Sequence, residues 1–526
     1  MIRKISRRRL LELAGGAALV APLTTACAMG SMGGANTEAD SSAGAVLKSA
    51  AKLPEPFSVP LPIPPVLRPE VRAGADHYRI TQRAAQVEIL PGLKTEIWGY
   101  DGKFPGPTIE SRSGRTTIVD HRNELTVPTV VHLHGGRTPH QDDGYPTDLV
   151  LPTGGWHGKD FDPHAGKISA GRKRYAYPVD QPAATLWYHD HRMDFTGPDV
   201  YNGLAGFHIV RDDQEERLPL PTGDRDIPLM ITDRSFAEDG SFHYPAKDPS
   251  LSNTPGVTPD YVSGVLGDCI LVNGAPWPEL EVSNVKYRFR ILNASNARRY
   301  RIALDPPPTQ GSSFTQIGSD VGLLGTPLTH DEIQIAQAQR FDVIIDFSNY
   351  AVGDKITLIN KLADGGPAKI MRFVVARRDR DDSRIPQQLV EYEPLSLAQA
   401  KVTREFTFQR GGSERDGMAL WTVNGKPFDP NRIDARPQLN SVERWKIRTQ
   451  NVPHPIHIHL GRFQVASRDG STPGPYDHGW KDTVDGDNGG NIDVLIKFEG
   501  YRGKYVFHCH NLEHEDMAMM DNFEVV

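Results

Sequence analysis

One pattern occurs three times in the chain, and it restricts the fold more than any other feature. The first copy is Tyr100-Asp101-Gly102-Lys103-Phe104-Pro105, followed by Thr116-Thr117-Ile118-Val119, which leads to Asn123. The second is Val272-Asn273-Gly274-Ala275-Pro276-Trp277-Pro278, then Tyr287-Arg288-Phe289-Arg290-Ile291-Leu292-Asn293. The third is Val423-Asn424-Gly425-Lys426-Pro427-Phe428, then Glu443-Arg444-Trp445-Lys446-Ile447-Arg448. Each reads as a strand end, an Asp-Gly or Asn-Gly turn, a proline-bearing turn and an alternating strand. A repeat at domain spacing, about 150 residues or more, indicates duplicated domains rather than a solenoid. Short strands punctuated by 49 glycines and 42 prolines make each unit an all-β sandwich or barrel. The expected units span 70–225, 226–376 and 402–526, with a charged linker at 377–401.

Residues 1–28 read as an export signal. Arg3, Lys4 and Arg7 to Arg9 precede an apolar run from Leu10 to Leu23, broken by Glu12 and too short for a permanent span. Ser6-Arg7-Arg8-Arg9-Leu10-Leu11 resembles a twin-arginine signal, so a periplasmic or extracellular location is expected. Ala26-Cys27-Ala28 fits a small-x-small cleavage site, while Leu23 to Cys27 resembles a lipobox with its leucine one place early; a lipid anchor at Cys27 stays open. Residues 29–69 are a linker, first small and polar, then a polyproline strap with seven prolines from Pro54 to Pro69. No internal segment reads as a membrane span.

The net charge of −7 is spread along the chain, and no basic patch suggests nucleic acid. The three cysteines, Cys27, Cys269 and Cys509, are too few for a disulfide framework. Cys269 opens the apolar strand Cys269-Ile270-Leu271-Val272 and reads as inert packing. Asp485 to Gly490 has a faint likeness to a calcium loop, but Ile496 stands where the bidentate acid is needed, so a hairpin loop is expected.

The chemistry lies in the 19 histidines. Random placement would give about 0.7 His-x-His pairs. Four are present: His132/His134, His189/His191, His457/His459 and His508/His510. Each lies in a β-branched or aromatic run, so both imidazoles of a pair share one strand face. In Tyr505-Val506-Phe507-His508-Cys509-His510, Cys509 then points away from its two neighbours. Cys509, His514 and Met519 follow at C-x4-H-x4-M, three of the four ligand types of a blue-copper site. His454, three residues before His457, can point elsewhere and is the natural fourth. The eight paired imidazoles can hold three coppers as three, three and two. Zinc competes as a metal, but a structural zinc site closes with four ligands and needs no such set.

His132-Leu133-His134-Gly135-Gly136, Trp187-Tyr188-His189-Asp190-His191, His454-Pro455-Ile456-His457-Ile458-His459 and His508-Cys509-His510 with His514 and Met519 resemble the motifs of multicopper oxidases. Asp142-Asp143-Gly144-Tyr145-Pro146, Ile231-Thr232-Asp233-Arg234 and Leu271-Val272-Asn273-Gly274 are similar to the bacterial spore-coat laccase and bilirubin oxidase group. The resemblance runs from about residue 55 to the end. It implies three cupredoxin-like Greek-key β-barrel domains and four copper ions. By the same resemblance, His454, Cys509, His514 and axial Met519 hold the type 1 copper, and His132 and His457 the type 2 copper. His134, His189 and His510 hold one type 3 copper, and His191, His459 and His508 the other. Asp143 and Glu515 match acids that help deliver protons to oxygen.

The resemblance also implies a mechanism. A small reducing substrate docks near an exposed edge of His514 or His454, and electrons pass through Cys509 to His508 and His510. Four electrons and four protons then reduce O2 to two waters. Phenols, aminophenols and bilirubin all fit. A cuprous oxidase for copper tolerance is the enzymatic rival, disfavoured because methionines cluster only at Met517, Met519 and Met520 within the folded units. A structural or division factor that has lost its ligands is the non-enzymatic rival, at odds with a full ligand set. The second unit carries no ligand and is expected to hold the other two together. Oligomeric state is not readable from the sequence, and a monomer is only the default.

Overall fold

The three Asp-Gly and Asn-Gly turns are built alike. Asp101 and Gly102 have φ of 54° and 65°, Asn273 and Gly274 50° and 82°, and Asn424 and Gly425 52° and 73°. Two successive positive-φ residues define the type I′ turn, whose twist matches the strands it joins. The computed structural model describes residues 44–158, 161, 165–415 and 417–526. The export signal expected at 1–28, Cys27 and the first part of the linker lie outside the described residues.

Around those turns the chain forms three pairs of sheets. The first pair has five strands, within Glu70–Arg72 to Arg172–Tyr177, packed with the four-stranded order Gly106–Arg112, Ala205–Arg211, Ala184–Asp190, Val131–His134. The second pair has seven and five strands, from Asp226–Arg234 to Lys369–Arg377. The third has a five-stranded sheet and the four-stranded order Thr483–Gly486, His454–Ile458, Gly503–Cys509, Met520–Val525. Helices are short: Thr196–Tyr201 and Leu512–Asp516 flank the site. Among the described residues no helix is long and apolar enough to cross a membrane.

Apolar cores fill each pair of sheets, and Cys509 and Met519 belong to the third core, beside Trp421 and Phe507. Cys269 is buried packing, as expected. The seam between the first two pairs is both apolar, through Trp187, Phe207, Met230 and Leu292, and ionic. Arg290 donates to Asp226 and Glu215, and Arg288 to Glu215 and Asp342. The proline-rich strap spans this seam, with Leu61 N–H on Glu279 O and Leu67 N–H on Thr108 O. Ala45–Val46 pairs in parallel with Val265–Leu266.

The stretch 485–490 is not a hairpin. Asp485 lies in the buried strand Thr483–Gly486 and is held by Arg299, with both carboxylate oxygens 3.0 Å from Nε. Residues 487–490 carry the chain from one sheet of the third pair to the other. The local Asp-rich pattern could not reveal a partner 186 residues away.

Candidate metal centre

Strand alternation does what it must in the Gly503–Cys509 strand. His508 stands opposite His457, and Cys509 opposite Ile456, in the antiparallel register with His454–Ile458. Cys509 therefore faces one side and His508 the other. In the first pair of sheets, His132 stands opposite His189 and His134 opposite Trp187. The two imidazole-bearing faces meet: His134 stacks on His457 with centroids 3.7 Å apart, and His132 on His459 at 3.8 Å. None of the ten histidines, nor Cys509 or Met519, is more than 1% exposed.

Hydrogen bonds on the far ring nitrogens fix what the near ones present. His132 Nδ1 donates to Asp143 O at 2.5 Å, and His457 Nδ1 to Asp482 O at 2.9 Å. Their Nε2 lone pairs then face each other at 3.4 Å. His459 Nδ1 donates to Asp143 Oδ2 at 2.7 Å, and His508 Nδ1 to Cys509 O at 3.1 Å. Their Nε2 atoms are 3.2 Å apart, and His191 Nε2 lies 3.2 Å from that of His508. His134 Nδ1, His189 Nε2 and both nitrogens of His510 have no hydrogen-bond partner. The His510 ring lies 5.1 Å from His134 and 5.3 Å from His189. Burial, then the neighbouring imidazoles, holds His189 at about 3, so it is neutral. Buried, unprotonated lone pairs aimed at one another are costly without a cation between them.

Across the strand, the same logic builds a second cluster. His454 Nε2 donates to Gln450 O and His514 Nε2 to Ser263 O, each at 3.1 Å. Their Nδ1 atoms converge, 3.4 and 3.6 Å from Cys509 Sγ. Met519 is tied to both residues through the backbone: its N–H donates to His514 O, and its carbonyl accepts from Cys509 N–H. Burial pushes the Cys509 thiol far up; a bound metal reverses this by taking the thiolate. The donor sets thus fit metal: imidazoles alone on one side, two imidazoles and sulfur on the other.

The chain matches the multicopper oxidase family over residues 81–157, 156–215, 243–366 and 398–526. It is 37% identical to a laccase from Bacillus subtilis, across 90% of this chain and 98% of that one. This chain belongs to the multicopper oxidase family. It is a copper-binding, laccase-like oxidoreductase with O2 as acceptor. It is 34% identical to a bilirubin oxidase from Albifimbria verrucaria, over 89% of this chain and 81% of that one. The crystal structure of a laccase from Pediococcus acidilactici superposes with a TM-score of 0.78 at 32% identity, covering 91% and 96% of the two chains.

Both expected acids sit at the imidazole cluster. Asp143 is 1% exposed, and burial raises its carboxyl well above the usual range. Glu515 lies 3.4 Å from His191 Nδ1 and 3.1 Å from His508 Nδ1, and accepts from Thr196 Oγ1 at 2.7 Å. Burial raises its carboxyl, but His508 and His191 pull it down further, to about 2.

One expectation fails. Neither His454 nor His514 has an exposed edge; both rings are 0% exposed. Carbonyls of Gln450 and Ser263 cover their outer nitrogens, and the Trp421 ring lies 3.9 Å from that of His514. Trp421 comes from the strand Met418–Val423 and donates to Val262 O at 2.7 Å. A contact across 159 residues of sequence leaves no local trace. Asp482 was also missed, because Trp480-Lys481-Asp482-Thr483-Val484 carries no local sign that its acid is buried.

Proposed function

We propose that the chain is a four-copper oxidase that takes electrons singly from phenolic, aminophenolic or tetrapyrrole donors and reduces O2 to two waters. The reading rests above all on Cys509, which carries sulfur to one ligand cluster while His508 and His510 on either side serve the other. His454, Cys509, His514 and Met519 would hold the type 1 copper, and His132 and His457 the type 2 copper. His134, His189 and His510 would hold one type 3 copper, and His191, His459 and His508 the other. When bound, copper supplies reversible one-electron chemistry and activation of O2.

The protein's own part is positional. The strand Gly503–Cys509 gives a covalent route from Cys509 to His508 and His510. Asp143 orients His459 through Nδ1 and His132 through its carbonyl. Asp143, its carboxyl raised by burial, holds a proton next to the cluster, while Glu515, an ionised carboxylate accepting from Thr196 Oγ1, is placed to take one up and pass it on. A cavity of about 20 Å³, room for one water, reaches His457 and Asp482 between Gly135, Arg137 and Arg462. Donors dock on the cover formed by Trp421, Gln450 and residues 258–264 rather than on a bare imidazole. Met517, Met519 and Met520 are buried and offer no soft ligand to arriving Cu(I), which favours organic donors.

In this reading the units at 70–225, 226–376 and 402–526 are cupredoxin domains, the first and third carrying all ligands. Residues 1–28 direct export by the twin-arginine route to the periplasm or beyond. The test is oxygen uptake by the copper-loaded protein with a phenol, an aminophenol, bilirubin and Cu(I) offered separately. Uptake with the organic donors is expected. Fast uptake with Cu(I) alone would move the protein to copper detoxification.

A further inference from the structure

Arg340 carries the ligand-free second pair of sheets to the edge of the imidazole cluster. Arg340 opens the strand Arg340–Asp346 and is 0% exposed. Nε donates to Thr185 O at 2.9 Å, in the first pair of sheets. Nη1 donates to Ala338 O and Asp482 Oδ1, both at 2.8 Å. Nη2 donates to Asp320 O at 2.8 Å and Asp482 Oδ2 at 2.5 Å. All five N–H groups of the guanidinium are therefore used.

Asp482, gripped by that fork, belongs to the third pair of sheets and touches two imidazoles. Its Oδ1 lies 3.2 Å from His134 Nε2, and its carbonyl accepts from His457 Nδ1 at 2.9 Å. The first contact keeps the proton of His134 on Nε2 and leaves Nδ1, which has no other partner, free to ligate. The space around the fork is full. Gly135 has φ of 86°, and a Cβ there would lie 2.8 Å from both Arg340 Nη2 and Asp482 Oδ2. Nearby, Lys481 Nζ pairs with Asp320 at 3.1 Å, so the second carboxylate has its own cation.

We propose that Arg340 is a positioning residue of the cluster. By clamping Asp482 it sets the tautomer of His134 and the orientation of both His134 and His457, and so couples the second pair of sheets to copper occupancy. This rests on the reading that those two histidines bind copper. A lysine cannot replace it, because an ammonium has three donors and no planar fork.

The experiment compares Arg340→Lys and Asp482→Asn with a control, Arg288→Lys. Arg288 makes a similarly buried fork on Asp342 but touches no imidazole. Copper per chain, the thiolate-copper absorption band and the electron paramagnetic resonance of cluster copper are measured on each full-length protein. Both test variants are expected to keep the thiolate band and to bind cluster copper about 10- to 100-fold more weakly, the range for outer partners of metal-bound histidines. The control is expected to keep both signals. Full cluster copper in both test variants would overturn the proposal, as would equal loss in the control. Nitrogen NMR of the copper-free chains supplies a second readout: His134 protonated at Nε2 in the wild type, and that signature lost in Asp482→Asn. An unchanged tautomer would overturn the clamp. A wild type with the expected tautomer that binds no cluster copper would instead overturn the copper reading alone.

Discussion

Trp421 lies over His514, ring centroids 3.9 Å apart and planes inclined by 31°, and it also touches His454 edge-on at 5.4 Å. One indole therefore covers both imidazoles that flank Cys509. Removing it with Trp421→Ala is expected to cost about 3–5 kcal/mol of stability, as for other buried tryptophans. The opened cover should lower KM for bulky donors more than for small ones. Steady-state kinetics with donors of graded size would check this; an equal change for all sizes would mean the cover does not select.

Trp421→Phe separates shape from hydrogen bonding. It leaves Val262 O without the indole donor, a loss of about 1–3 kcal/mol for an unsatisfied buried group. The melting temperature should fall, while the thiolate-copper band stays in place.

Cys509→Ser removes the one cysteine that either cluster contains among the described residues. The variant should lose the thiolate-copper band and all steady-state oxidase activity, yet keep copper at the imidazole cluster. Metal analysis with paramagnetic resonance distinguishes this from general loss of metal.

Acid should loosen the seam between the first two pairs of sheets. Burial raises the Glu215 carboxyl, but Arg290, Arg288 and Arg211 overcome this and hold it at about 2, below its ordinary 4.5. A depressed carboxylate stabilises the fold fully above pH 4.5, and that stability fades as pH falls toward 2. Glu215→Gln should therefore lower the melting temperature at pH 7 and flatten its decline below pH 4.5. Thermal melts across pH would show it; parallel curves for the two proteins would refute it.

Arg137 and Arg462 both bind Glu499, at 3.0 and 2.7 Å, beside the small cavity that reaches His457. Glu499→Ala should loosen both side chains, leaving Arg137 on Asp180 and Arg462 on the Trp480 ring, and speed copper removal by a chelator several-fold, read as copper lost per chain over time.

Much of this is legible in the sequence alone. Strand alternation alone put His508 and Cys509 on opposite faces, and the Asp-Gly and Asn-Gly turns announced I′ geometry with their flanking strands. Those signals are local and periodic. What the sequence hid depends on contacts between distant segments. Arg340 reads as one more residue of an alternating strand, and only folding brings it to Asp482, 142 positions on. The exposed edge expected at His514 failed for the same reason, since Ser263 lies 251 residues away. A ligand motif specifies which atoms face the metal, not what lies behind the ring.

The opposed faces of His508 and Cys509 have a consequence for heredity. Deleting or inserting one residue within Gly503–Cys509 would reverse every side chain beyond it. The thiolate would turn toward the imidazole cluster and the imidazoles toward the sulfur site, so neither could be spared. Point substitutions can sample this strand one position at a time, but length changes cannot. The two sites are thus inherited as a single unit, with a fixed reading frame in three dimensions.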